Sequence, residues 1–154
     1  MKKYFLIIVP IYALMLLMSR HPLITDDVSE TNRCLELEQK SDVIFVIPPY
    51  SEELCNEMAL TDKMYGMHGI THSYHEFLEP VDEDVLNETI TSYKKCFRKN
   101  EWTFRPPQNR ISKENAKIVN RYEIEIYKTP YILHPYCHCN PKSYMRILNA
   151  LILC

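Results

Sequence analysis

Two clusters of side chains in this sequence are of types that do chemistry. The first is His68, His72, His75 and Glu76, with the histidines at i, i+4 and i+7. On a helix that spacing lines one face, and imidazoles beside a carboxylate are ligands that zinc accepts. The set is therefore a candidate centre for a small secreted metal-dependent hydrolase, with Glu76 as the base acting on an activated water. Against it, Gly66, Gly69, Ile70 and Thr71 are poor helix formers. The plainer expectation is a surface loop whose histidines titrate near neutrality, with no metal or cofactor required and no catalytic residue.

The second cluster is cysteine. Cys137 and Cys139 stand one residue apart, too close along a strand to bridge each other, so each needs a distant partner among Cys34, Cys55, Cys96 and Cys154. Six cysteines allow fifteen pairings, and excluding the three with a Cys137 to Cys139 bond leaves twelve. The favoured pattern ties Cys137 and Cys139 to two of Cys34, Cys55 and Cys96, each closing a long loop worth roughly 4 kcal/mol in the chain-entropy model. Cys154 then either fastens the last helix internally or links two copies of the chain as a homodimer. A zinc site from His134, Cys137, His138 and Cys139 is the competing use of this stretch, disfavoured where conditions are oxidising. Asn87-Glu88-Thr89 is an N-x-[ST] sequon on the polar side of a helix, which makes Asn87 a candidate glycan acceptor.

Net charge is -2 and the basic residues do not gather into one block, so nucleic acid is not the expected partner. No G-x-S-x-G, H-E-x-x-H or glycine-rich phosphate loop is present. Met1-Lys2-Lys3 followed by an apolar run from Tyr4 to Met18 has the layout of a signal peptide over residues 1–19. Leu17 and Arg20 make a cleavage site after Ser19 unattractive, so an uncleaved signal anchor is the alternative, and only then is a membrane involved. Either way the remainder, residues 20–154, is expected to be a single disulfide-rich domain, secreted or displayed at the cell surface.

The elements that position these groups come next. Residues 21–39 read as an irregular polar arm pinned by Cys34. Asp42 to Ile47 is a β-branched run closed by Pro48-Pro49, a strand buried on both faces. Ser51 caps a helix running to about Gly66, and Gly66 to Pro80 is a loop or very short helix. Val81 to Lys99 has the clearest helical period, with acids opening it and lysines closing it. Trp102 to Phe104 reads as a short aromatic strand and residues 111–120 are ambiguous. Tyr122 to Ile126 alternates as a half-buried strand that continues into the Cys137 stretch, and residues 142–153 form a short apolar helix.

The strand carrying alternating apolar residues, Tyr122 to Tyr127 and Tyr131 to Cys139, ends in C-x-C near the C-terminus and follows Trp102-Thr103-Phe104-Arg105. In this it resembles the last strand of cystine-knot ligands: neurotrophins, Spätzle-type and prothoracicotropic-type insect ligands, and knot-like interleukins. The resemblance covers the last third of the chain and implies a secreted dimer that binds a protein receptor and has no catalytic site. Cys34, Cys55 and Cys96 depart from it, since a knot ring needs a closely spaced upstream pair. The expectation is thus a small disulfide-stabilised α+β domain with a short antiparallel sheet and two to three helices, acting as a cytokine- or growth-factor-like ligand. The alternatives are an anchored ectodomain working in an envelope or cell-surface complex, and the metal-dependent hydrolase.

Overall fold

The computed structural model describes residues 10–12, 14–15, 22–98, 102–128, 136–142, 146–147, 149 and 154. Strand β1 (Ile24–Val28), helix α1 (Leu35–Lys40), strand β2 (Val43–Val46), helix α2 (Glu52–Ala59) and strand β3 (Met64–Met67) follow one another. Helix α3 (Glu83–Cys96), strand β4 (Thr103–Phe104), a 3-10 turn (Pro107–Asn109), helix α4 (Lys113–Asn120), strand β5 (Glu125–Ile126) and strand β6 (Tyr136–His138) complete the order. The strands form one sheet in the order β5-β4-β3-β2-β1-β6, and every pairing is parallel. This replaces the expected antiparallel α+β domain with an α/β architecture.

The physical reason lies in the connections. Parallel neighbours need a crossover long enough to return the chain to the same end of the sheet, and α1, α2, α3 and α4 supply it between successive strands. Two strands escaped the sequence reading. β1 carries Asp26 and Asp27 inside a run otherwise fit for a core, so its segment reads as a polar arm. β3 contains Gly66, where a Cβ would collide with the Phe45 ring and crowd Thr103, so the sheet needs a glycine exactly where one discourages a strand assignment. The helix after Ser51 accordingly stops at Ala59 rather than near Gly66.

β2 is buried at all four positions, as its sequence implied. Its side chains alternate between the two faces of the sheet. Ile44 and Val46 join Leu54 and Met58 of α2, Leu86, Ile90 and Tyr93 of α3, and Phe104 in the main core. Val43 and Phe45 face the other way with Ile24, Met64 and Tyr127. α3 starts at Asp82, whose carboxylate accepts from the backbone N–H groups of Asp84 and Val85, and Lys94 and Lys95 lie in its last turn. α4, ambiguous in sequence, is capped by Ser112, which accepts from Asn115 N–H.

Three disulfides are formed: Cys34–Cys139, Cys55–Cys96 and Cys137–Cys154, with Cα separations of 5.5, 5.0 and 5.9 Å. Cys139 reaches the N-terminal part as expected, but Cys96 is joined to Cys55 across α2 and α3, and Cys137 takes Cys154. Cys154 is therefore occupied within the chain, which corrects the homodimer link, and with Cys137 and Cys139 oxidised the thiolate zinc site does not form. Most of the leader at 1–19, His134, and most of the expected helix at 142–153 lie outside the described residues. No helix among the described residues is long and apolar enough to cross a membrane.

Candidate metal centre

Because all six strands run the same way, their carboxyl ends share one edge, the usual place for a site in an open α/β sheet. Asp26 and Asp27 lie in the second half of β1, ahead of its last residue Val28, His68 follows β3, Arg105 follows β4, and His138 is the last residue of β6. They converge on a cleft of about 570 Å³ whose rim includes Tyr74, Gln108, Asn140 and Lys142.

Within it, Asp27 Oδ1 lies 3.3 Å from His68 Nε2 and 3.0 Å from His72 Nε2. His68 Nδ1 is 2.8 Å from the Arg105 carbonyl oxygen and must donate to it, so the neutral ring presents an unprotonated Nε2 to the Asp27 carboxylate. Asp27 Oδ1 is buried and has no hydrogen-bond partner. For the neutral His68 ring, lone pairs thus face one another, an arrangement that is repulsive unless a proton or a cation lies between them, and the His72 ring approaches the same oxygen as an ion-pair partner. Two ligand atoms about 2.1 Å from a common ion, at angles between octahedral and tetrahedral, lie roughly 3.0–3.4 Å apart. Asp27, His68 and His72, whose ligand atoms all lie within 4.8 Å of one another, therefore fit a divalent cation in donor type and grouping, and the hydrogen bond from His68 Nδ1 to Arg105 O fixes His68 in the required tautomer.

The electrostatics agree. Burial pushes the Asp27 carboxyl up, but the bond from His138 and the imidazoles of His68 and His72 more than offset it and hold it well below the usual carboxylate range. Burial lowers the His72 pKa, and the Asp27 carboxylate reverses that and raises it. Asp27 and His72 both have positive φ, 64° and 58°, as do Gln108, Asn109 and Asn140 around the same cleft. Such conformations cost on the order of 1 kcal/mol each and gather where surrounding structure imposes them for function.

Asp26 sits behind the three ligands. Its Oδ2 accepts from Arg105 Nε at 2.8 Å, with both side chains at most 2 % exposed. The Arg105 guanidinium lies against the rings of Phe45 and Tyr127, 5.7 and 5.6 Å from their centroids, which are themselves 5.7 Å apart. Asp26 Oδ1 is buried without a hydrogen-bond partner.

Of the histidine cluster read from the sequence, His68 and His72 come together and His75 does not. The ring of His75 meets Arg110 Nη1 at 3.0 Å and stacks on Tyr74. Glu76 is not a base: its carboxylate accepts from the backbone N–H groups of Ile70 and Thr71 and from the Thr71 hydroxyl, closing the turn that presents His72. The helix that would have aligned all three histidines is absent; a strand end and a tight loop, with Gly69 at φ 82°, do the work for two of them. Asp26, Asp27 and Arg105 were missed, and His138 was read only as part of a zinc set with His134, Cys137 and Cys139. The available signal was the Asp26-Asp27 pair closing the apolar Leu23-Ile24-Thr25 run, upstream of H-x-x-x-H at His68 and His72.

No protein-family model matches the chain, and no curated protein matches it. Among solved structures, a CE4 family pseudoenzyme from Bacillus anthracis is similar, with a TM-score of 0.53 and 15% identity, covering 86% of this chain and 59% of that one. A mutant CE4 family pseudoenzyme with restored enzymatic activity is similar at 18% identity and the same TM-score, covering 85% of this chain and 60% of the other. This chain thus spans about 60% of the length of those structures. At such identity the likeness is one of fold, and it overturns the cystine-knot resemblance together with the cytokine-like ligand drawn from it. The fold neighbours are described as pseudoenzymes, one of them returned to activity by mutation. The chain has the fold of the CE4 family structures, an α/β fold with a parallel sheet.

Proposed function

We propose that this chain is a metal-dependent hydrolase of CE4-like type, cleaving an acyl bond in the cleft at the carboxyl edge of its sheet. The observation that carries this reading is the convergence of the buried Asp27 Oδ1 and two imidazole Nε2 atoms at 3.0–3.3 Å. Asp27, His68 and His72 would hold a divalent cation. When bound, such an ion supplies Lewis acidity, polarising a carbonyl and acidifying a water.

The remaining roles belong to the chain. Asp26 takes the proton of the attacking water at Oδ1, the oxygen left without a partner, while Arg105 holds Oδ2. Arg105, packed against Phe45 and Tyr127, holds Asp26 aimed, and its burial excludes water from behind the base. The water oxygen joins the acyl carbon, the bond to the leaving oxygen or nitrogen breaks, and the proton held by Asp26 is available to the leaving group. Tyr74, 76% exposed at the rim, offers an aromatic surface to whatever carries the acyl group.

Three disulfides also support an oxidising compartment, the one the sequence of residues 1–19 leads us to expect. The test is hydrolysis of p-nitrophenyl acetate by metal-stripped protein reloaded with zinc or cobalt. The reading expects turnover only with metal, and Asp26→Asn should lose it by about 10²-fold or more while still binding metal. Metal binding without turnover in the native chain would place it with the pseudoenzymes; turnover unchanged in Asp26→Asn would remove Asp26 from its role.

A further inference from the structure

Among the described residues, His138 is the histidine of the cleft that faces the other oxygen of Asp27. Its Nδ1 lies 2.6 Å from Asp27 Oδ2 and donates to it, while Oδ1 is turned to His68 and His72. Asp27 stands at a left-handed φ of 64°, a conformation that does not by itself fix where the carboxylate points. The His138 bond supplies that orientation.

His138 depends in turn on an unusual support. β6 has three residues and, among the described residues, pairs with β1 alone. On its other side, the side-chain amide of Asn149 accepts from His138 N–H at 3.1 Å and donates to His138 C=O at 3.0 Å, standing in for a neighbouring strand. Asn149 is tied in place through the Cys154 N–H, which donates to the Asn149 carbonyl at 2.9 Å, and through the Cys137–Cys154 disulfide, which returns that segment to the residue before His138.

We propose that His138 is a positioning residue for the metal ligand Asp27, and that the Cys137–Cys154 disulfide sets the metal affinity of the site by holding the Asn149 clamp on His138. The inference rests on the metal-site reading above. Reduction by an external dithiol converts Cys137–Cys154 to two thiols while the dithiol becomes a disulfide; two electrons and two protons pass to the protein, which then holds metal less tightly. Loss of an outer-sphere partner of a metal ligand typically costs 10–100-fold in affinity.

The experiment measures zinc affinity by competition with a chromophoric chelator, on oxidised full-length chain. Cys137→Ser/Cys154→Ser, which frees no thiol to bind zinc, is expected to weaken affinity 10–100-fold. Asn149→Ala, which keeps the disulfide, and His138→Ala should do the same. Cys55→Ser/Cys96→Ser, remote from the cleft, should leave the affinity of the folded protein unchanged. In a His138→Ala background the Cys137→Ser/Cys154→Ser pair should add less than twofold, because both changes act through one bond. Additive losses, or native affinity in Asn149→Ala and the Cys137/Cys154 variant, would overturn the proposal while leaving the metal site standing. Absence of zinc binding by the oxidised native chain would overturn both.

Discussion

Replacing Arg105 by Met removes the guanidinium from beneath a carboxylate that has nowhere to go. Asp26 and Arg105 are 2 % and 1 % exposed, joined at 2.8 Å, and the guanidinium also lies against Phe45 and Tyr127. Breaking such a pair from one side typically costs 3–5 kcal/mol, most of it from stranding the remaining charge rather than from losing the attraction. At about 2–4 °C per kcal/mol for a chain of this size, the midpoint should fall by roughly 6–20 °C. Asp26→Asn in the same chain removes the stranded charge. The double variant Asp26→Asn/Arg105→Met should therefore be more stable than Arg105→Met alone. Urea denaturation followed by near-ultraviolet circular dichroism, with metal removed, gives both values. A loss below about 1 kcal/mol for Arg105→Met, or simple additivity in the double variant, would show that the pair is not buried as described and would remove the argument that Arg105 aims Asp26.

Other consequences follow from the same structure. Tyr93, buried and donating to Tyr65 C=O, has its pKa pushed up from 10.0 to about 12 by burial. A group that keeps its proton longer when folded lends stability that is full below pH 10 and lost as pH rises from 10 to 12, so stability should decline across that window and less steeply in Tyr93→Phe. The disulfides close loops of 105, 41 and 17 residues, so the chain-entropy model ranks their removal as Cys34–Cys139, then Cys55–Cys96, then Cys137–Cys154, at about 4.8, 4 and 3 kcal/mol. Paired Cys→Ser variants in urea would reverse the argument if that order inverted. Asn87, exposed on α3, is expected to carry a glycan in secreted material, and an unchanged mass in Asn87→Gln would reject it.

How much of this was legible in the sequence differs from element to element. β2 and α3 were readable because each declares one period over its whole length: four buried residues in a row, and an apolar stripe with charges matched to both helix ends. β4 and β5 fall inside segments read as strands, but with two residues each their direction is fixed only by the helices that return the chain. β1 hid itself for the reason that makes it central. A strand that must deliver two carboxylates to the site carries them in its own sequence, and local polarity then argues against a strand. The histidine cluster was found by spacing, but the spacing was read on a helix. A strand end followed by a loop selects His68 and His72 and turns His75 toward Arg110. The cysteines drew attention to residues 137–139, and the chemically important residue there is the histidine between them.

The central claim is that Asp27, His68 and His72 hold one divalent cation. It is tested most directly by crystals grown with zinc and measured on both sides of the zinc absorption edge. The account predicts one anomalous peak about 2.0–2.2 Å from Asp27 Oδ1, His68 Nε2 and His72 Nε2 together, absent in Asp27→Ala crystals. No peak in the native protein, or a peak whose ligands leave out Asp27, would contradict it.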